Sequence, residues 1–119
     1  RQALKLGFDG IVVSNHGGRQ LDGALSSIDA LPAIVEAVGG QIDILLDSGI
    51  RRGSDIVKAS ALGAQGVMLG RATLFGVAAG GQIGAERVLN ILQEELARSL
   101  NLMGVQRLDA LTSEHLYLP

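Results

Sequence analysis

Apolar residues fall in short, nearly unbroken runs separated by polar, glycine-marked stretches. Gly10-Ile11-Val12-Val13, Ile42-Asp43-Ile44-Leu45-Leu46 and Gly66-Val67-Met68-Leu69 predict strands over 10–15, 42–47 and 66–69. Such continuous runs, rather than alternation, predict strands buried on both faces, as in a parallel sheet covered by helices. The intervening segments read as helices. Residues 1–6 look like the tail of one, closed by Gly7. A second runs over about 28–38, capped by Ser26 or Ser27, with Pro32 placed in its first turn and Gly39-Gly40 ending it. A third spans about 54–62, opening at Gly53 or Ser54 and closing at Gly63. A short helix over about 72–79 precedes a long one over about 84–103, where Val88, Leu89, Leu92, Leu96, Leu100 and Met103 share one face. Residues 16–25 form a polar, glycine-rich loop, and the tail 105–119 is irregular or a short helical turn.

Leu6-Gly7-Phe8-Asp9-Gly10 before one strand is echoed by Leu62-Gly63-Ala64-Gln65-Gly66 before another. Repeated units of helix, glycine cap, tight turn and buried strand build α/β barrels and doubly wound sheets. Three strands do not close a barrel, which takes eight and typically ~250 residues. Alone they leave two sheet edges and much apolar surface uncovered.

Composition narrows the class. At 119 residues, 47% hydrophobic and 18% charged, the chain is an ordered globular domain. Aromatics make up only 3%, so the core is aliphatic. A formal net charge of −2 without a basic block argues against nucleic acid as a partner. The chain has no cysteine, which excludes disulfides and thiolate metal sites, and no residue spacing suggests any other metal site. No apolar run reaches the ~18 residues of a membrane span. The opening Arg1-Gln2-Ala3-Leu4-Lys5 lacks both an initiator methionine and the apolar core of a signal peptide. The expectation is a segment of a longer protein that begins partway through a helix.

The chemistry gathers where the strands end. Ser14-Asn15-His16-Gly17-Gly18-Arg19-Gln20-Leu21-Asp22 places a hydroxyl, an imidazole and a guanidinium on a glycine-rich turn. The C-terminal ends of parallel strands are where α/β active sites collect. A lone loop histidine is usually an ordinary residue bonded to a carbonyl. In this company His16 reads as a general base. Arg19 is either a surface charge or a two-pronged anchor for a carboxylate. Asp47, ending the second strand, is either a capping residue or a partner for ligand hydroxyls such as a sugar-like chain. Gly49 with Arg51, and Gly70 with Arg71, read as two halves of a phosphate clamp made of free amides, a helix start and two guanidiniums. Arg52 and the charges over 86–98 read as solvated, and His115 and Tyr117 as structural or surface residues.

Taken together, Ser-Asn-His-Gly-Gly-Arg-Gln-Leu-Asp, Asp-Ser-Gly-Ile-Arg-Arg-Gly-Ser-Asp and Leu-Gly-Arg-Ala resemble the FMN-dependent 2-hydroxy-acid dehydrogenases and oxidases, over essentially the whole chain. That family includes glycolate oxidase, lactate oxidase and dehydrogenase, and mandelate dehydrogenase. The resemblance implies an α/β fold: the C-terminal part, about strands six to eight with their helices, of a TIM (β/α)8 barrel. Residues 1–119 would then be one portion of a single FMN-binding domain whose N-terminal portion is supplied from outside this chain. It implies oxidation of an L-2-hydroxy acid to the 2-oxo acid. His16 would be the base, taking either the hydroxyl proton with hydride transfer or the α-carbon proton through a carbanion. Arg19 would bind the substrate carboxylate, Ser14 would contact the flavin and Asp47 would bond its ribityl chain. Gly49, Arg51, Gly70 and Arg71 would hold the phosphate. The flavin-contacting lysine, the substrate-contacting tyrosines and the aspartate that orients the histidine would lie before Arg1, so the isolated segment is expected to be inactive. A homotetramer and a cytoplasmic location, peripheral to the inner face of the membrane in some members, are further implications.

Two other readings use the same residues. One is another FMN barrel such as the type 2 isopentenyl diphosphate isomerase, which shares the phosphate clamp, although Asn15 through Arg19 suits a carboxylate substrate better. The other is a partial barrel that binds phosphate or flavin without catalytic activity of its own.

Overall fold

The computed structural model of the chain describes residues 1–117. A short helix α1 (Gln2–Lys5) leads through Gly7 into β1 (Gly10–Val13). Then follow α2 (Ser27–Val38), β2 (Asp43–Leu46), α3 (Gly53–Ala61), β3 (Gly66–Val67) and α4 (Arg71–Met103). The strands form a three-stranded sheet in the order β1-β2-β3. Both pairings are parallel, with Ile11 opposite Ile44, Val13 opposite Leu46 and Leu46 opposite Val67. The strands are shorter at their C-terminal ends than the apolar runs predict, because Ser14, Asp47 and Met68 already belong to the turns that carry polar chemistry.

The sheet packs one face only. Val13, Ile44 and Leu46 are buried against Leu31 and Val38 of α2 and Ala59 of α3. Val12 points the other way and is 48% exposed. Burial on both faces is therefore corrected, among the described residues, to burial on the helix-covered face, since none of them covers the other. A second, smaller cluster joins Val57 and Ala61 of α3 to Leu111, with Leu96, Leu100 and Met103 of α4 packed on it.

Local sequence explains the element ends. Ser26 caps α2, its Oγ accepting the Asp29 amide at 3.3 Å while its hydroxyl donates to the Asp29 carboxylate at 2.6 Å. Pro32 does not sit in the first turn: α2 starts at Ser27, so the proline falls in the second turn and leaves the Ile28 carbonyl without a helical donor. Asp55 closes the start of α3 by accepting the Arg51 and Arg52 amides, both at 3.0 Å. Within α4 the backbone leaves helical geometry at Gly80 and Gly81, the latter at φ 58, ψ −138, so the predicted short and long helices are two arms of one broken element. On the long arm Leu92 is buried and Val88, Leu96, Leu100 and Met103 are half-buried, but Leu89 is turned out to solvent. The tail forms two short 3-10 turns, Leu108–Ala110 and Ser113–His115. His115 Nδ1 accepts the Thr112 amide and Tyr117 is almost fully exposed. The last two residues of the predicted tail lie outside the described residues.

Candidate active site

The three strands end on one side of the sheet, and the segments that follow them line a cleft of about 1150 Å³. His16, Gly17, Gly18 and Arg19 come from the turn after β1, Asp47 to Arg51 from the turn after β2, and Met68 to Ala72 from the passage out of β3 into α4. Leu74, Phe75, Val88, Ile91 and Leu92 of α4 give the opposite wall an apolar surface. Of the residues singled out from sequence, His16, Arg19, Asp47, Gly49, Arg51, Gly70 and Arg71 share this cleft. Ser14 does not line it. Its hydroxyl accepts the His16 amide at 3.0 Å.

The turn that bears His16 is unusual backbone. His16, Gly17 and Gly18 have φ of 54, 67 and 73 in succession. Two glycines make that run accessible, whereas for His16 it is a strained conformation. A methyl at Gly17 would also sit 2.8 Å from Arg71 Nη2, so that guanidinium would have to shift to admit it. That guanidinium reaches across from the start of α4 and donates to the Gly17 carbonyl at 3.1 Å. Its remaining donors are available to an anion in the cleft.

Asp47 and Ser48 shape the second turn. Buried Ser27 donates its hydroxyl to the Asp47 carbonyl at 2.5 Å, which fixes the end of β2 against α2. Ser48 takes φ 73, donates to Asp47 Oδ1 at 2.7 Å and accepts the Gly17 amide at 3.0 Å. The Arg51 amide is already committed to Asp55. Arg51 thus offers the cleft its guanidinium, while the amides of Gly49 and Gly70 have no hydrogen-bond partner among the described residues. An anion is matched by those amides, the Arg51 and Arg71 side chains and the start of α4. A polyhydroxy chain is matched by the Asp47 carboxylate, and the size and apolar wall of the cleft suit a flat ring. The donor set fits a flavin mononucleotide.

Sequence reasoning missed two features. One is Ser48, whose positive φ and link to Gly17 depend on strand register and leave no mark beyond the neighbouring Gly49. The other corrects the view of Arg52 and the 86–98 charges as solvated. Glu95 has only 18% side-chain exposure and pairs with Arg52 Nη2 at 2.8 Å. It also accepts the Gly53 amide at 2.8 Å, which pins the start of α3 to α4. The Arg52 guanidinium first, and the Gly53 amide second, hold the Glu95 carboxyl below the usual carboxylate range. Glu86 and Arg87 remain at the surface, as expected.

Known proteins carry the same segment. An L-lactate oxidase from Nostoc sp. is 53% identical over 117 residues, covering 98% of this chain and 32% of that protein. An L-lactate dehydrogenase from Pectobacterium atrosepticum is 53% identical over 116 residues, covering 98% of this chain and 30% of that protein. Among solved structures, a monotopic membrane protein, (S)-mandelate dehydrogenase, superposes with a TM-score of 0.93 at 46% identity over 98% of this chain and 31% of that one. The chain thus spans about a third of the length of the relatives it matches. Among the described residues no helix is long and apolar enough to cross a membrane. The profile of the FMN-dependent dehydrogenases matches residues 1–118, and the chain belongs to that family of flavin enzymes.

Proposed function

We propose that this chain forms the C-terminal part, about strands six to eight, of an FMN-binding (β/α)8 barrel that oxidises a small L-2-hydroxy acid of the lactate, glycolate or mandelate type. The observation that carries the reading is the cleft at the strand ends that His16 and Arg19 line together with Asp47, Arg51 and Arg71. In a family of this chemistry, that cleft pairs a proton acceptor with cationic anchors. The preceding part of the barrel is supplied by residues outside this chain. The uncovered strand face at Val12 and the one-third coverage of the relatives both support that arrangement.

Converting the carbinol to a ketone removes two protons and two electrons. FMN, when bound, would supply the acceptor for both electrons and for the second proton. His16 accepts one of the protons at an imidazole nitrogen, and Arg19 holds the substrate carboxylate by two parallel hydrogen bonds and opposes the negative charge that develops. Asp47 takes the ribityl hydroxyls, and Arg51, Arg71, Gly49 and Gly70 take the phosphate. Ser14 acts on this site through the His16 amide. The His16 ring makes no hydrogen bond among the described residues, which favours an orienting carboxylate from the rest of the barrel and an inactive isolated segment. Assembly as a homotetramer follows from the family alone. Peripheral attachment at the inner membrane face draws on the relative described as monotopic.

Anaerobic addition of lactate, glycolate or mandelate to the complete flavoprotein tests the reading. One of them bleaches the oxidised flavin absorbance, and His16→Gln keeps the flavin while lowering turnover by about 10²–10⁴. Flavin that stays oxidised with all of them refutes the substrate class. Loss of flavin in His16→Gln makes that residue structural.

A further inference from the structure

We propose that Ser48 is a positioning residue whose hydroxyl locks the Gly17 peptide and, through it, the presentation of His16 to the cleft; this rests on the reading of His16 as the base. Left-handed backbone at a residue with a side chain persists only when its surroundings over-determine it. His16 is such a residue, and its turn is tied from every strand end. Ser14, after β1, accepts the His16 amide at 3.0 Å. Ser48, after β2, accepts the Gly17 amide at 3.0 Å. Arg71, after β3, donates to the Gly17 carbonyl at 3.1 Å. The N–H and the C=O of Gly17, on the two peptide groups that flank its Cα, are therefore both held by groups that follow two other strands.

The direction of the Ser48 hydroxyl is fixed as well. Its proton goes to Asp47 Oδ1 at 2.7 Å, so the oxygen is left as an acceptor for Gly17, and the charged acceptor strengthens the pair. Ser48 holds φ 73, where glycine would sit without strain. Backbone conformation alone thus argues for glycine at this position, and the hydroxyl is what a serine adds. The same hydroxyl joins Asp47 to the His16 turn, so the ribityl side of the cleft and the base are held by one hydrogen-bonded chain.

Two variants of the complete enzyme separate this role from a merely structural one. Ser48→Gly removes the hydroxyl and relieves the backbone, whereas Ser48→Ala removes the hydroxyl and keeps the strain. Both are expected to lower kcat by about ten- to a hundredfold, the scale of a misplaced catalytic group, with KM for the acid changed less. Hydrogen exchange followed by mass spectrometry over the peptide containing Gly17 is expected to speed up about tenfold or more in both. A Ser48→Gly enzyme with wild-type kcat and wild-type exchange at Gly17 overturns the proposal. Accelerated exchange at Gly17 in a protein whose wild type turns over no 2-hydroxy acid supports the lock and overturns the functional reading instead.

Discussion

The contact between α3 and α4 sets a sharp test of how the cleft is held. Gly53 opens α3 with its Cα against the backbone of α4. A methyl placed there would lie 2.3 Å from the Leu96 amide nitrogen, 2.5 Å from the Glu95 carbonyl carbon and 2.6 Å from Glu95 Cβ. The first of these is about 1 Å inside ordinary van der Waals contact, and the clash is with backbone, which cannot rotate away. Retreat of α4 is opposed by buried Leu92 on one side and by the packing of Leu96 and Leu100 over Val57, Ala61 and Leu111 on the other. Retreat would also break the Gly53 amide's bond to Glu95. Gly53→Ala should therefore sit at the upper end of the overpacking range, about 3 kcal/mol. That is about a hundredfold in a local opening equilibrium, at about 1.4 kcal/mol per decade. Native-state hydrogen exchange over α3 and the second arm of α4 should accelerate by that factor. Gly23→Ala is the control, since nothing lies within 4 Å of a methyl there and its φ is not left-handed. Exchange in Gly53→Ala within about threefold of wild type would refute the close-packed α3–α4 contact, because a clash relieved that cheaply leaves no tight interface.

Arg71→Ala should weaken FMN binding about ten- to a hundredfold by fluorescence titration, the scale of a lost charge-assisted hydrogen bond; unchanged affinity removes Arg71 from the clamp. Gly17→Ala should act on the same residue from the other side, because its methyl meets Arg71 Nη2 at 2.8 Å and its φ is 67. A flavin affinity equal to that of the unaltered protein would contradict it. The Arg52–Glu95 tie gives a pH signature: because the Glu95 carboxyl titrates below its ordinary value when folded, its stabilisation is complete above that ordinary value and is lost as pH falls through the folded one. The gap in melting temperature between wild type and Glu95→Gln should therefore close in acid, and a gap that stays constant on acidification would count against the tie.

Much of the fold was legible because its signals are local. The apolar runs place each strand, although they overrun its C-terminal end by one or two residues, and Gly7 and Gly63, at φ 75 and 104, mark the turn before β1 and the turn before β3. The break in α4, at Gly80 and Gly81, falls between the helices predicted over about 72–79 and 84–103. Errors arose where the outcome depends on distant chain. A run such as Ile11-Val12-Val13 cannot say whether both its faces are covered, since that is decided by segments outside it. Glu95 looked like one more solvent-facing charge on a long helix, yet it meets Arg52 from 43 residues away. Pro32 looked like a first-turn proline because the Ser26 and Ser27 signals leave the starting residue open by one or two positions.

The site divides along the same line. Residue types in the strand-end motifs suffice to nominate His16, Arg19, Asp47, Arg51 and Arg71, because chemistry belongs to side chains. What turns them into one cleft is parallel register: Val13 lies opposite Leu46, and Leu46 opposite Val67, so residues a few positions beyond each are neighbours in space. Register also decides what the backbone at those neighbours can do. With Ser48 two residues past Leu46 and Gly17 four past Val13, the hydroxyl of one meets the amide of the other, and a histidine can be kept at φ 54. An imidazole on a free glycine-rich loop would sample many orientations, and its effective concentration at a substrate proton would fall accordingly. The glycines that permit the turn are thus insufficient to make it reactive. The cross-strand hydrogen bonds at Gly17 supply the missing rigidity, and they come from the same segments that carry the proposed ribityl and phosphate partners. In this arrangement the proposed base cannot be displaced without disturbing the proposed cofactor cradle, nor the cradle without disturbing the base.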